Sequence, residues 1–323
     1  MKALAALIFL ALAVPAQADG FIDNVAGSTR DAQGRIVQFG GLLIAADGRV
    51  SRLVAPGEKP PRTVKLDYRL DGKERTLVTG RISPGIALMD EAIAALVREP
   101  LMRARPLQPY ERDLAFSRFQ QRMLDEGITT VVDLDTEVAD WEVYRRAADA
   151  GRLRIRVLCY AAGLETLMLV AGNQPTPWLH DGHVRMAGLA IIDAPPFDDA
   201  RIRNLISRGA MDGFQVALIP HGDGAIDHAL AAIEEVAASY GHDRRWRLET
   251  GSAPLPDSTR LARSGTIAIG NAPADPADAA FAAGVSDRLG MLMPGMQADF
   301  LLLDTQGGKP DVWIGGIRVQ GNR

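Results

Sequence analysis

His221 and Asp223 stand two residues apart in ALIPHGDGAIDHALAAIEEVA, residues 217–237. An imidazole beside a carboxylate can relay a proton or supply two ligands of a divalent ion. An apolar run ends at Pro220 and an amphipathic stretch follows, so the pair belongs at a strand end facing a helix start. Asp133 and Asp135 close another apolar run, TTVVDLD, and Glu249 closes RWRLET. With His221, Asp133 and Glu249 are the candidates for acid–base work. Asp133 and Asp135 can equally cap the next helix or face solvent, and Asp223, just ahead of an amphipathic helix, suits a cap on its free N–H groups. His180 and His183 are spaced H-x-x-H in WLHDGHVRM, a ligand pair if they converge and a solvated loop otherwise. His228 and His242 read as ordinary surface residues. No G-x-S-x-G elbow occurs, and the single cysteine, Cys159 in LRIRVLCYAA, reads as a buried strand thiol with no disulfide partner.

The first twenty residues, MKALAALIFLALAVPAQADG, have a basic start, a short apolar run and an A-x-A site. This pattern predicts a secretory signal peptide over residues 1–18 and an exported protein, periplasmic or secreted. No later stretch reads as membrane-spanning, so no membrane association is expected after cleavage. A net charge of −4 over 323 residues argues against a nucleic-acid partner. A small-molecule ligand and self-association as a homo-oligomer remain open.

The elements that must position these residues alternate. Residues 19–80 and 290–323 are rich in strand signals, with hairpins expected at Asp47-Gly48, Asp71-Gly72 and Gly315-Gly316, the first as a type I′ turn. They suggest one small composite β-sandwich domain built from both ends of the chain. Between them, over 81–289, continuous apolar strands alternate with amphipathic helices, which means a parallel sheet. The expected fold is α/β, a (β/α) TIM-type barrel. Only seven inner strands are convincing, counting one at Thr76–Ile82. The barrel is therefore incomplete, or an eighth strand hides in 274–292.

Several stretches resemble the amidohydrolase superfamily: LDGKERTLVTG and its surroundings at the start, LDEGITTVVDLD…YRRAADAGRLRIRVLCY, VALIPHGDGAIDHALAAIEEV, and LGMLMPGMQADFLLLD…DVWIGGIRV near the end. The branch they look most like is the exported-type members of the amidohydrolase 3 group. Those enzymes are longer, and this chain lacks their large insertion after the first barrel strand. The resemblance implies a (β/α)₈ barrel with a composite β-sandwich, hydrolysing non-peptide C–N bonds. It also implies zinc or another divalent metal that acidifies a bound water and polarises the carbonyl. The ligands would be H-x-H on strand 1, in some members a carbamylated lysine on strand 4, a histidine on each of strands 5 and 6, and an aspartate on strand 8.

Carried onto this chain, those positions hold other residues. The H-x-H positions fall on Gly85 and Ala87, and no histidine precedes His180. No lysine occurs between Lys73 and Lys309. The nearest stand-in for the strand 4 lysine is Arg185, whose guanidinium stays protonated and ligates no cation. The strand 5 position is Ile219. His221 shares its strand face but lies about 6–7 Å further on, at ~3.3 Å per residue. The strand 6 position is Thr250. The strand 8 position is Asn271 if IAIGNAPAD is strand 8; if it is strand 7, strand 8 is missing. No metal ligand is assigned, no cofactor is expected, and Arg185, Ile219, Thr250 and Asn271 are expected to line the pocket. Two readings follow: a catalytically degenerate family member, or an active hydrolase or ligand-binding protein with a non-standard site around His221.

Overall fold

The computed structural model describes residues 20–58, 66–96, 107–240, 243–272, 274–304 and 307–321. The expected signal peptide and His242 lie outside the described residues. From the N-terminal side come β1 (Gly20–Asp23), β2 (Ala26–Arg30), β3 (Ile36–Phe39), β4 (Gly41–Ile44), β5 (Val50–Val54), β6 (Tyr68–Asp71) and β7 (Thr76–Thr79). Then the chain alternates: β8 (Arg81–Ile86), α1 (Leu88–Leu96), α2 (Pro109–Asp125), β9 (Ile128–Thr136), α3 (Val138–Asp149), β10 (Arg156–Ala162) and α4 (Leu164–Val170). It continues through β11 (Val184–Asp193), α5 (Asp199–Met211), β12 (Gln215–Pro220), α6 (Ala225–Tyr240), β13 (Trp246–Gly251), α7 (Ser258–Ser264), β14 (Thr266–Gly270) and α8 (Pro276–Ala282). Strands β15 (Phe300–Leu303), β16 (Asp311–Ile314) and β17 (Ile317–Gln320) follow.

Strands β8 to β14 form one parallel sheet of seven strands in sequential order. This is an incomplete (β/α) barrel. Alternation along each strand sorts side chains into two layers. Val131, Val157, Cys159, Leu189, Ile191, Val216, Leu218 and Trp246 pack under the helices. Val132, Leu134, Leu158, Tyr160, Ala190 and Ala217 fill the inside. Cys159 is fully buried in the outer layer, and burial pushes its thiol pKa well above the ordinary value, which suits an inert core residue.

The edges β8 and β14 approach but form no ladder with each other. The region 274–292, where an eighth strand was sought, instead supplies α8, which packs on β8. Its small residues Ala279 and Ala280, with Ala283 and Val285 behind them, join the inner cluster beside Ile82. Small side chains allow the close approach that a missing strand would otherwise leave as a gap.

Two further sheets stand beside the barrel: β5-β4-β1-β6, and β17-β16-β15-β7-β2-β3. The second joins both ends of the chain through β7 and β15. Their shared core includes Phe39, Leu42, Leu77, Phe300 and Trp313. Three local expectations are corrected. The stretch 76–82 is not one strand: it breaks at Gly80, where a Cβ would lie 2.4 Å from Thr129 Oγ1, so β7 serves the sandwich and β8 the barrel. Asp71-Gly72 makes no hairpin, because β6 and β7 join different sheets. There Lys73 and Glu74 both have positive φ, while Gly72 and Glu74 donate to the backbone of Asp23 and Asn24. At Asp47-Gly48 the hairpin forms, but only Gly48 has positive φ, so the turn is not type I′, which needs two such residues. The hairpin at Gly315-Gly316 does have both.

A buried ion pair fastens the sandwich to the floor of the barrel. Arg156, the first residue of β10, grips Asp299 through Nε at 2.7 Å and Nη2 at 2.8 Å. Its remaining donors reach the Gly182 carbonyl and Gln297. Asp299 also accepts from the Gly315 N–H. Side-chain exposures of 1% and 6% put the pair out of water, where losing one partner is far costlier than losing both. Asp299→Ala is therefore expected to lower stability by roughly 3–5 kcal/mol, measured by urea unfolding. A change under about 1 kcal/mol, the scale of an exposed pair, would show that the pair does not clamp the two parts.

Candidate functional site

Parallel strands deliver their C-terminal ends to one side, and a barrel places its chemistry there. In this chain the ends of β8, β9, β11, β12, β13 and β14 surround a cavity of about 480 Å³. Gly85, Ala87, Ile219, Thr250 and Asn271 all border it. The first four are positions onto which the resemblance carries metal ligands, Asn271 is one only if β14 is strand 8, and none of the five has an imidazole or carboxylate. Nor is the space at Gly85 vacant for one. A Cβ there would lie 2.2 Å from Leu134 Cδ1 and 3.0 Å from Glu249 Oε2. Leu134 fills the volume that a histidine would need. The Thr250 hydroxyl donates to the Ile269 carbonyl at 3.1 Å, and Asn271 Nδ2 donates to Ser252 Oγ at 3.0 Å. Among the described residues no group of three or more His, Cys, Asp or Glu side chains could hold a metal ion. The divalent ion implied by the resemblance does not fit this donor set.

Strand β14 occupies the seventh place in the sheet, next to β13, and no strand lies between it and β8 among the described residues. Of the two readings of IAIGNAPAD, this placement matches the one in which strand 8 is missing.

His221 lies on the rim of the cavity, exposed, its backbone N–H donating to the Asp193 carbonyl at 2.8 Å. Asp223 does not cap α6. The helix starts at Ala225, so Gly224 is its N-cap, with its carbonyl accepting from His228 N. Asp223 sits in the turn that Ala225 N–H closes onto the Gly222 carbonyl, ahead of the helix and in solvent.

Asp133 is not a pocket residue. It is fully buried and accepts hydrogen bonds from the Leu88 N–H at the start of α1, Thr136 Oγ1 and Tyr144 Oη at 3.0, 2.6 and 2.8 Å. Burial pushes its pKa above the carboxylate norm against the pull of these donors. Its work is to tie β9 to α1 and α3. Asp135, two residues on, does face the cavity. Its carboxyl is half-buried and has no hydrogen bond or ion pair among the described residues. Burial, then the negative charges of Asp90, Asp133 and Glu137, push its pKa up to about 6.

Glu249 reaches the cavity while bound to an arginine on its own strand face. Arg247 Nε donates to Glu249 Oε1 at 2.8 Å, with side-chain exposures of 2% and 10%. The Arg247 guanidinium also lies over the Tyr160 ring at 5.6 Å. The carboxylate is committed to the arginine, and removing it would leave a buried cation without its partner.

Arg185 is a correction. It stands at the N-terminal end of β11, lining a different cleft at the opposite end of the barrel. His180 and His183 lie at that end too, just before β11, whereas His221 follows β12. Ten residues of β11 separate the levels, about 30 Å at ~3.3 Å per residue, so the three histidines cannot converge. His183 Nδ1 contacts the His180 carbonyl at 3.0 Å.

His228 is not the ordinary surface residue expected. Its Nδ1 meets Asp193 Oδ2 and its Nε2 meets Asp199 Oδ1, both at 2.7 Å, and its ring stacks on Phe197 at 4.4 Å. Burial lowers its pKa, but hydrogen bonds to both aspartates outweigh that and hold it above the usual value. It pins the β11–α5 loop to α6. The partners are 29 and 35 positions away in sequence, so no local pattern signals them.

A protein-family model, the amidohydrolase family, matches residues 77–269. Protein LONG AFTER FAR-RED 3 of Arabidopsis thaliana is 29% identical over 182 residues, covering 46% of this chain and 31% of that protein. The chain thus spans about a third of the length of that curated relative. A triazine hydrolase from Arthobacter aurescens superimposes with a TM-score of 0.67 at 14% identity, over 94% of each chain. A zinc-containing adenosine deaminase from Xanthomonas campestris gives 0.65 at 13% identity, over 93% of this chain and 92% of that one. These likenesses to solved structures show the shared fold.

Asp135 generates a pH prediction. Its folded pKa of about 6 exceeds the ordinary 3.8, so ionising it opposes folding. That penalty is complete above the folded value, shrinks as pH falls through about 6 and vanishes below 3.8. Asp135→Asn should raise the urea midpoint at pH 8 and leave it unchanged at pH 3.5. An equal gain at both pH values would sink the assignment.

Proposed function

The chain belongs to the amidohydrolase family, and from that premise we propose that it is a non-catalytic member, exported, whose barrel mouth binds a small molecule. By descent it is related to hydrolases of non-peptide C–N bonds; in this chain that chemistry has lapsed. The observation that carries the reading is the lining of the mouth. Gly85, Ala87, Ile219 and Thr250 stand at the ligand positions of strands 1, 5 and 6, no strand 8 with its aspartate occurs among the described residues, and Leu134 is packed into the space beside Gly85. Metal-assisted hydrolysis needs an ion held by several imidazoles or carboxylates with one open position. Loss of one ligand could be covered by a neighbour, but replacement of all of them by neutral groups removes the water-activating charge. What persists is concave and mostly apolar, with a few polar groups at its rim, the general form of a small-ligand site.

The alternative is a hydrolase working through His221 with Asp135 or Glu249. The described contacts favour it less: His221 is exposed on the rim and Glu249 is committed to Arg247.

Export and metal content are testable on one sample. The mature protein, purified without chelators or metal-affinity resin, is expected to begin at Asp19 by intact mass and to carry far less than one zinc, iron or manganese per chain. Near-stoichiometric metal would overturn the reading. Restoring a ligand should also fail locally. Gly85→His is expected to cost roughly 1–3 kcal/mol in urea unfolding by overpacking against Leu134, with recovery in the Gly85→His/Leu134→Ala pair. A neutral effect would mean that Leu134 does not hold that space.

A further inference from the structure

At the end of the barrel opposite the mouth, where β11, β12 and β13 begin, lies a cleft of about 290 Å³ lined by Arg185, Arg244 and Arg245. The protein as a whole carries a net charge of −4, so three arginines lining one small concavity are not the spill-over of a basic surface. The single acid in the lining is Asp243, whose side chain is 90% exposed and 3.5 Å from Arg245. Arg185 and Arg244 form no ion pair among the described residues. Like charges facing one cleft repel, and this arrangement is stable only with water or an anion among them.

The guanidiniums are also held in place. Arg185 Nε donates to the Thr176 carbonyl. Arg244 Nε donates to the Tyr240 carbonyl, and its guanidinium lies over the Tyr240 ring at 5.6 Å. Arg245 lies over the Phe281 ring at 4.4 Å, with Nη1 directed at the Phe281 carbonyl and Ser286 Oγ. Its backbone has φ +50°, and its carbonyl is fixed by Gln215 Nε2 at 2.6 Å. Gln215 also donates to the Ala282 carbonyl and accepts from Tyr160 Oη. The anchored atoms use only part of each five-donor fork. The terminal nitrogens of Arg185 and Arg244 have no hydrogen-bond partner among the described residues.

We propose that this cleft is an anion site for a small phosphomonoester. Planar guanidinium forks match the oxygens of a phosphoryl group two at a time, and pre-positioned arginines lose little side-chain entropy on binding. The volume admits the phosphoryl group with a small organic substituent. The cleft is separate from the mouth, and its occupancy is independent of whether the mouth is catalytic.

Inorganic phosphate is the probe, titrated into the full-length mature chain by calorimetry at low ionic strength, with acetate and phosphatidylglycerol vesicles in parallel. One saturable site for phosphate is expected, tighter than for acetate and weakened by added sodium chloride. Arg185→Gln and Arg244→Gln should each weaken it roughly tenfold or more, the scale of one charge-assisted hydrogen bond. Arg145→Gln, on a distant exposed pair with Glu142, should leave it unchanged. Unfolding midpoints in phosphate-free buffer check the variants, and if Arg185→Gln does not fold, the more peripheral Arg244→Gln decides. Absence of saturable phosphate binding, equal binding by parent and Arg244→Gln, or binding to vesicles without binding to phosphate would each overturn the proposal.

Discussion

Closing a parallel barrel with one strand too few is the constraint on which the rest of this molecule turns. A sheet of seven strands leaves β8 and β14 as edges, and unpaired edges in an apolar interior are costly. Helix α8 meets the difficulty by laying Ala279 and Ala280 against the inner cluster at Ile82. A helix cannot supply a ladder, so the seam is covered by packing rather than by hydrogen bonds. Outside it, β7, β8 and the approach to α8 leave a groove of about 730 Å³. The seam and the mouth share Pro84 and Asn271, so the closure and the rim of the cavity are built in part from the same residues.

Inside, one electrostatic rule recurs. Every deeply buried charge described above is matched: Arg156 by Asp299, Arg247 by Glu249, and Asp133 by hydroxyl and backbone donors. At the mouth, where an amidohydrolase would hold its charges against a metal, the carried-over positions hold no charge, and the acids that border the cavity are Glu249, paired with Arg247, and Asp135. Leu134 and Ile219 occupy that level instead. Carboxylates gathered there without a cation would repel one another and resist desolvation, a cost that apolar groups at the same level avoid. Asp135 is the exception, a carboxyl half-buried among acids and pushed up toward neutrality.

Much of this was legible in the chain. Continuous apolar strands between amphipathic helices announced the parallel sheet, because strands covered on both faces have no polar side to show. The absence of histidine before His180 and of lysine between Lys73 and Lys309 ruled out the ligands of two strands, 1 and 4, without any coordinates. The Arg247–Glu249 pair was also within reach, since residues two apart on a strand share a face. The turn at Asp71-Gly72 was misleading, because a turn signal says that the chain reverses but not which sheet receives the next strand. Asp223 misled in the same way: a cap depends on one residue of helix start, and Gly222 and Gly224 shift that start.

The sequence by itself determined the periodicities, and with them the barrel, the composite β sheets and the residue types available at each strand end. It also determined that the positions of Gly85, Ala87, Ile219 and Thr250 carry no imidazole or carboxylate. Only the tertiary structure decided which polar residues meet. It brought His228 between Asp193 and Asp199, sent Arg185 and the His180–His183 pair to the far end of the barrel, buried Asp133 and left Asp135 in the cavity. The physical reason is range. Alternation and amphipathicity are local properties of a few residues, whereas a side chain's partner is chosen by the closure of sheets that join positions as far apart as Thr76 and Leu303.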